Sequence, residues 1–151
     1  MSILIQKYSE LDETRWDDFI QSSSNGTIFH LRKFLSYHIN RKFIDNSLLF
    51  IKNNLIISIF PAAKLIENNK KVLYSHPGAS YGGFVYNDIS YADAEEIINL
   101  IDSYCIENNY KKIFFISTPI IYNVKANDTL NYLLHRNSFF IEEYYISSVI
   151  E

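Results

Sequence analysis

The feature that most constrains this chain is a change of period along its length. Between residues 12 and 39 apolar side chains recur three and four apart, as on a buried helical face. Between residues 47 and 74 they run almost without interruption, as in buried strands, and from residue 90 the helical spacing returns. Trp16, Phe19 and Ile20 form the first stripe, with Asp17 and Asp18 turned outward, behind Ser9 and Asp12, either of which can cap a helix. The run SSSNG at residues 22–26 ends this helix by offering competing side-chain hydrogen bonds and a residue tolerant of positive φ. A second helix is expected from Thr27 to Ile39, with Leu31, Phe34, Leu35 and His38 on one face.

The extended region reads as a meander. Ser47–Lys52 and Leu55–Leu65 flank Asn53-Asn54, a pair that suits a tight hairpin, and Lys71–Tyr74 follows the polar turn Glu67–Lys70. A short strand at Ile3–Gln6 precedes all of this. The clearest helix runs from Ser90 to about Asn108: Ser90 and Asp93 resemble a capping box, Ala94, Ile97, Ile98, Ile101, Tyr104 and Cys105 form its stripe, and Asn108-Asn109 closes it. Lys112–Ser117 reads as a buried strand, Asn127–Asn137 as a short helix with Leu130, Leu133 and Leu134 inward, and Phe139–Ile150 as a last strand or strand pair. The order β-α-α-β-β-β-α-β-α-β predicts an α/β (α+β) fold, a mixed and mainly antiparallel sheet with helices on both faces. With no internal repeat or linker, residues 1–151 read as one domain.

Composition removes several classes. With 48% hydrophobic and 21% charged residues and a net charge of −3, disorder and indiscriminate nucleic-acid coating are disfavoured, and no motif for sequence-specific DNA binding is present. The 12 Tyr and 11 Phe accompany abundant Ile, Asn and Lys, the signature of an AT-rich coding genome rather than of a base-stacking platform. The longest apolar stretch, Leu55–Ala63, is broken by Ser58 and Pro61 and falls short of the roughly 20 residues that span a bilayer. The start lacks the long apolar run of a secretory signal, and the lone Cys105 suits a reducing compartment, so a cytoplasmic location is expected. Residues 31–71 carry eight Lys/Arg against two Asp/Glu. Arg32, Lys33, Arg41 and Lys42 there either lie on solvated faces or form an anion-facing surface.

Three of the four glycines, one of the three prolines and a histidine fall in Ser75–Phe84, SHPGASYGGF, between a strand and a helix. Such clustering implies a backbone that turns sharply or lies close to a ligand, and backbone N–H groups at Gly78, Gly82 and Gly83 can bind an anion or a carbonyl oxygen. The loop matches neither a Walker loop nor G-x-G-x-x-G. A ligand-free bulge and turn is the competing reading. Ser75 and Ser80 are candidate substrate contacts, while His76 and Tyr81 are candidate catalytic groups, His76 because imidazole titrates near neutrality. His30 opens the second helix and is a further candidate contact, against a purely structural role; His38 reads as a core residue and His135 as a cation in a last helical turn. Tyr122, behind Ser117-Thr118-Pro119, can face the same cleft from beyond the carboxyl end of the following strand. No metal is expected, since the histidines lack ligand spacing, and Cys105 reads as a buried small hydrophobe.

The helix pair with Trp16–Ile20 and TIFH (27–30), FPA (60–62), SHPGASYGG (75–83) and P-x-x-Y (119–122) together resemble the bacterial Fem-like group of the GNAT acyltransferase superfamily. The group includes peptidoglycan bridge aminoacyltransferases and acetyltransferase-like proteins of envelope polysaccharide biosynthesis. The resemblance is to the first of two tandem GNAT-like domains. It implies acyl-CoA or aminoacyl-tRNA as donor, an envelope or glycan precursor as acceptor, and a second GNAT-like domain or a homodimer as partner. Donor-binding GNAT loops usually read Q/R-x-x-G-x-G/A. The loop here lacks that spacing and its basic residue, and Asp93, Glu95 and Glu96 follow it, which argues against direct CoA binding. Two functions are therefore carried forward. One is acyl or aminoacyl transfer to an amine, with His76 or Tyr81 assisting proton transfer. The other is a non-catalytic half-domain that binds a nucleotide-sugar or glycan precursor.

Overall fold

A computed structural model of the chain describes residues 2–37 and 43–143. In chain order the elements are β1 (Leu4–Lys7), α1 (Glu13–Ser22), the single turn α2 (Arg32–Leu35), β2 (Ile44–Asp45), β3 (Leu48–Lys52), β4 (Leu55–Phe60), β5 (Ala63–Glu67), β6 (Lys70–Ser75), β7 (Val85–Tyr86), α3 (Tyr91–Glu107), β8 (Lys112–Phe115) and α4 (Thr129–Arg136). The hairpin turns form where paired asparagines allow them: Asn53, Asn54, Asn68 and Asn69 all have positive φ. Asn109, also at positive φ, follows α3 as expected.

Among the described residues the strands divide into two four-stranded sheets, β1-β3-β4-β7 and β2-β5-β6-β8, and the one parallel ladder is β6 with β8. The division falls at Pro61-Ala62, inside what reads in sequence as one long strand. Proline has no N–H to donate to a ladder, and two serine side chains and one backbone N–H satisfy the break. The Ser75 hydroxyl donates to the Pro61 carbonyl, the Ala62 N–H donates to Ser47 Oγ at 3.1 Å, and the Ala62 carbonyl accepts the Asn46 N–H at 2.8 Å.

Helices cover both faces, as the sequence pattern predicts. In β3 alternate residues serve opposite sides: Leu49 and Ile51 pack with Trp16, Phe19 and Ile20 of α1, while Leu48 and Phe50 join the core under α3 and α4. Every residue from Leu48 to Ile51 is buried, hence the continuous apolar run. Each such Leu, Ile or Phe contributes on the order of 1.5–3 kcal/mol on burial.

The second helix is shorter than its spacing predicts. The chain makes a 3-10 turn at Ile28–His30, becomes extended at Leu31 (ψ 141) and recovers one helical turn at Arg32–Leu35. The His30 carbonyl accepts the Trp16 indole N–H at 2.9 Å, and the Arg32 N–H donates to Asp17 at 2.9 Å, so tertiary partners take the groups a continuous helix would pair. Asp17 thus faces its neighbour rather than solvent. His38 lies outside the described residues, and so does the expected last strand from residue 144 onward; residues 139–143 form no strand.

Candidate functional site

The site grows from the carboxyl ends of the parallel pair. Register between β6 and β8 runs to Ser75 opposite Phe115. Residues 76–81 then loop out, and Gly82 returns beside Ser117 as a single parallel bridge, its N–H donating to the Ile116 carbonyl at 2.8 Å. A Cβ at Gly82 would lie 2.4 Å from the Ser75 carbonyl oxygen, so the return requires glycine. Gly83, at φ +77, donates its N–H to Ser75 Oγ at 2.8 Å.

His30 secures this return from the other side. Its Nδ1 accepts the Thr27 N–H at 2.9 Å, which leaves the ring proton on Nε2, directed at the Gly82 carbonyl at 3.4 Å. Burial lowers its pKa below the ordinary 6.5, despite opposing hydrogen bonds to Gly82 and Thr27, so the ring is neutral at pH 7. His30 and Ser75 are 0% and 1% exposed. Both are expected from the sequence as substrate contacts; in the structure they are enclosed, and their polar atoms meet the Gly82 carbonyl, the Pro61 carbonyl and the Gly83 N–H.

Tyr81, Ser80 and Tyr122 do meet at one surface. With Thr27, Ile28 and Phe29 they line an open groove of about 450 Å³, within the range of small-molecule sites. Phe29 stands edge-on to Tyr81 at 5.4 Å between centroids, and Tyr122 lies 5.9 Å from Tyr81 on another side. Tyr122 comes from a 3-10 turn at Ile120–Tyr122, so the groove joins the segments after β6 and β8 to the turn before α2. Partial desolvation, and then the neighbouring Tyr122 hydroxyl, raise the Tyr81 pKa above 10.0; its phenol holds its proton at neutral pH.

Other expected residues fall elsewhere. His76, 6% exposed, places Nδ1 2.9 Å from the Pro77 carbonyl and its ring edge-on to Phe43; neither it nor Gly78 lines the groove. Gly78 is exposed at φ +86. Arg32 is turned inward, 3.6 Å over the Tyr8 ring, paired with Asp45 and bonded to Ser47, which removes it from any anion-facing surface; Arg41 and Lys42 lie outside the described residues. Cys105 is buried and its thiol is pushed up to about 12. Among the described residues no group of three His, Cys, Asp or Glu could hold a metal, and no helix is long and apolar enough to cross a membrane.

Two contributors had little sequence signal. Phe29 sits within TIFH, where only the 3-10 turn aims it at Tyr81. Asn25 reads as part of a helix stop, yet its buried amide donates to the Phe84 carbonyl and accepts the Tyr86 N–H, both at 2.9 Å, fixing β7 and the end of the glycine loop.

Three amides of the loop are already engaged within the protein. The N–H groups of Ala79, Gly82 and Gly83 are all donated internally, and residues 72–110 contain no Lys or Arg. The acidic start of α3 is engaged with its own partners: Asp93 with Lys52 at 2.6 Å, Glu96 with the Ile3 N–H at 2.7 Å, and Glu95 with Arg136 at 3.4 Å.

No protein-family model matches the chain, and no curated protein matches its sequence. Solved structures match over nearly its whole length. A GNAT family acetyltransferase from Staphylococcus aureus superposes with a TM-score of 0.55 at 18% identity, over 99% of this chain and 100% of the other. A ribosomal-protein-alanine N-acetyltransferase from Brucella melitensis gives 0.59 at 10% identity, over 99% of each chain. An aminoglycoside acetyltransferase from an uncultured soil sample, in complex with sisomicin, gives 0.55 at 13%, over 99% and 95%. The chain therefore has the GNAT acetyltransferase fold.

Proposed function

We propose that this chain is an acyl-transfer domain that holds an amine acceptor in the aromatic groove, within an acyl or aminoacyl transfer system of Fem-like type in cell-envelope or polysaccharide biosynthesis. The observation that carries the reading is the meeting of Ser80, Tyr81 and Tyr122 beyond the carboxyl ends of β6 and β8, where open α/β sheets bind ligands. Tyr81 keeps a proton on its Oη for the group that departs from the acyl carbon. Ser80 supplies a hydroxyl, and the rings of Phe29 and Tyr122 set the acceptor's orientation, so that much of the rate comes from placement. Ser75, His30, Gly82 and Gly83 hold Tyr81 in position.

A second reading is favoured by the internally bonded loop amides. In it the domain binds a nucleotide-sugar or glycan precursor without catalysing, and a second GNAT-like domain or a second copy presents the donor. Exposed Ile28, Ile120, Ile121 and Val124, from the same segments as the groove, suit a covering partner.

Calorimetric titration with acetyl-CoA to millimolar concentration, beside an acetyl-transfer assay on simple amines, separates the two. Saturable binding with turnover that falls at least ten-fold in Tyr81→Phe supports catalysis by this chain. No heat and no turnover would remove autonomous acetyl transfer and leave the binding half-domain.

A further inference from the structure

A second cavity shares the Ile120–Tyr122 turn with the aromatic groove, Ile120 lining the cavity and Tyr122 the groove. It is a narrow cleft of about 60 Å³ between the segment after β8 and α4, walled by Phe84, Tyr86 and Phe115 and floored by Leu130. That volume exceeds the roughly 10–15 Å³ one water molecule needs. Thr118 and Asn123 both line it, and Thr118 Oγ1 and Asn123 Oδ1 are buried with no hydrogen-bond partner. Unsatisfied buried polar atoms are uncommon in folded proteins, and two in one cleft point to a group that completes them.

The chemistry of the walls selects that group. Asn123 Oδ1 can only accept a hydrogen bond, so the ligand must donate there, and the Thr118 hydroxyl can accept a second bond from the same donor group. Phe84, Tyr86 and Phe115 make the walls aromatic, and aromatic rings attract a cation. No Lys, Arg or His lines the cleft, and the carboxylate of Asp128 is close enough to help raise the Tyr86 pKa, after burial itself. Asn131, another lining residue, donates to that carboxylate at 3.4 Å. An anion finds no positive charge among these groups, whereas a small primary ammonium finds two acceptors, aromatic walls and a nearby carboxylate.

We propose that this cleft is an ammonium subsite, in which Thr118 Oγ1 and Asn123 Oδ1 accept from a primary ammonium head of the acceptor molecule while the rest of that molecule crosses the Ile120–Tyr122 turn into the groove. The subsite rests on the acyl-transfer reading for the identity of the bound molecule, but occupancy can be read without any transfer. It assigns a second amine to the acceptor, distinct from the one that reacts near Tyr81.

The test is amide chemical-shift titration of the full chain with methylammonium and 1,4-diaminobutane, with methanol and acetate as neutral and anionic controls. Saturable shifts at Thr118, Asn123 and Leu130 with the two ammonium probes only, weakened about ten-fold or more in Thr118→Val and in Asn123→Leu, are expected. Both substitutions keep the heavy-atom branching and remove an unsatisfied polar atom, so the variants should unfold at or above the wild-type urea midpoint. If either fails to fold, Thr118→Ser, which keeps the hydroxyl, serves as the folded reference and should bind within about two-fold of wild type. Equal shifts with methanol, or affinity unchanged in the variants, would mean that water alone fills the cleft and would overturn the subsite. Ammonium binding without transfer by the wild type would leave the subsite standing and remove the acyl-transfer reading instead.

Discussion

Gly82→Ala tests whether the return of the glycine loop holds the site together. An added Cβ would stand 2.4, 2.5 and 2.6 Å from the Ser75 carbonyl oxygen, the Ser75 carbonyl carbon and the His76 nitrogen. All three are backbone atoms, so the strain cannot be relieved by a side-chain rotation, and overpacking of this kind costs about 1–3 kcal/mol. Moving Gly82 away would also break its N–H bond to Ile116 and the His30 contact to its carbonyl. At about 1 kcal/mol for each buried bond, the total is about 3–5 kcal/mol, a large part of the 5–15 kcal/mol typical of a whole domain. Urea unfolding followed by Trp16 fluorescence measures this directly, since Trp16 is fully buried and its indole donates to the His30 carbonyl. Ser80→Ala, at an exposed position of the same loop, is the control and should fall within about 0.5 kcal/mol of wild type. A Gly82→Ala loss below about 1 kcal/mol would refute the reasoning, because the loop would then have room that the geometry denies it.

Three further outcomes are expected. Because the His30 pKa is lowered on folding, the unfolded chain binds a proton that the native chain refuses once pH drops below about 6.5, so stability falls with pH from there to the lowered native value, with a slope approaching 1.4 kcal/mol per pH unit. Urea midpoints from pH 8 to 5 should show a component of this slope that disappears in His30→Gln; an identical slope in the variant contradicts it. Asn25→Ala leaves the Phe84 carbonyl and the Tyr86 N–H unsatisfied in a buried place and should cost about 2–4 kcal/mol in equilibrium unfolding, with a loss under about 1 kcal/mol counting against the bridge. Cys105, buried with its thiol pushed up to about 12, should react with a disulfide reagent at pH 8 only as fast as the protein opens; free-thiol rates in the native state would show that α3 does not shield it.

Much of the fold was legible because local signals and burial agree. The stripe of α3, the unbroken apolar run of β3 and the asparagine pairs in the hairpins each record one dominant physical demand: a buried helix face, a strand covered on both sides, a backbone at positive φ. The second helix is shorter than its spacing predicts because that apolar spacing is genuine while its backbone groups are claimed by Trp16 and Asp17, residues distant in sequence. The division of the sheet had one local cue, Pro61, but needed Ser47 and Ser75 to satisfy the break, and serines in strands carry no such message by themselves.

At the site, sequence alone marked the glycine loop and Tyr122 as places of interest, because scarce flexible residues and an aromatic after a strand end stand out locally. Which of their atoms face solvent was decided only by tertiary structure. His30 and Ser75 carry polar groups as suitable for a ligand as those of Tyr81 and Ser80, yet the first two point into the protein and the others line the groove. The physical reason is that a buried polar group must find a partner, and Gly82, Gly83 and Pro61 supply partners for His30 and Ser75. For Tyr81 the fold supplies Tyr122 and Phe29 at an open surface, a meeting of three segments that no local pattern encodes.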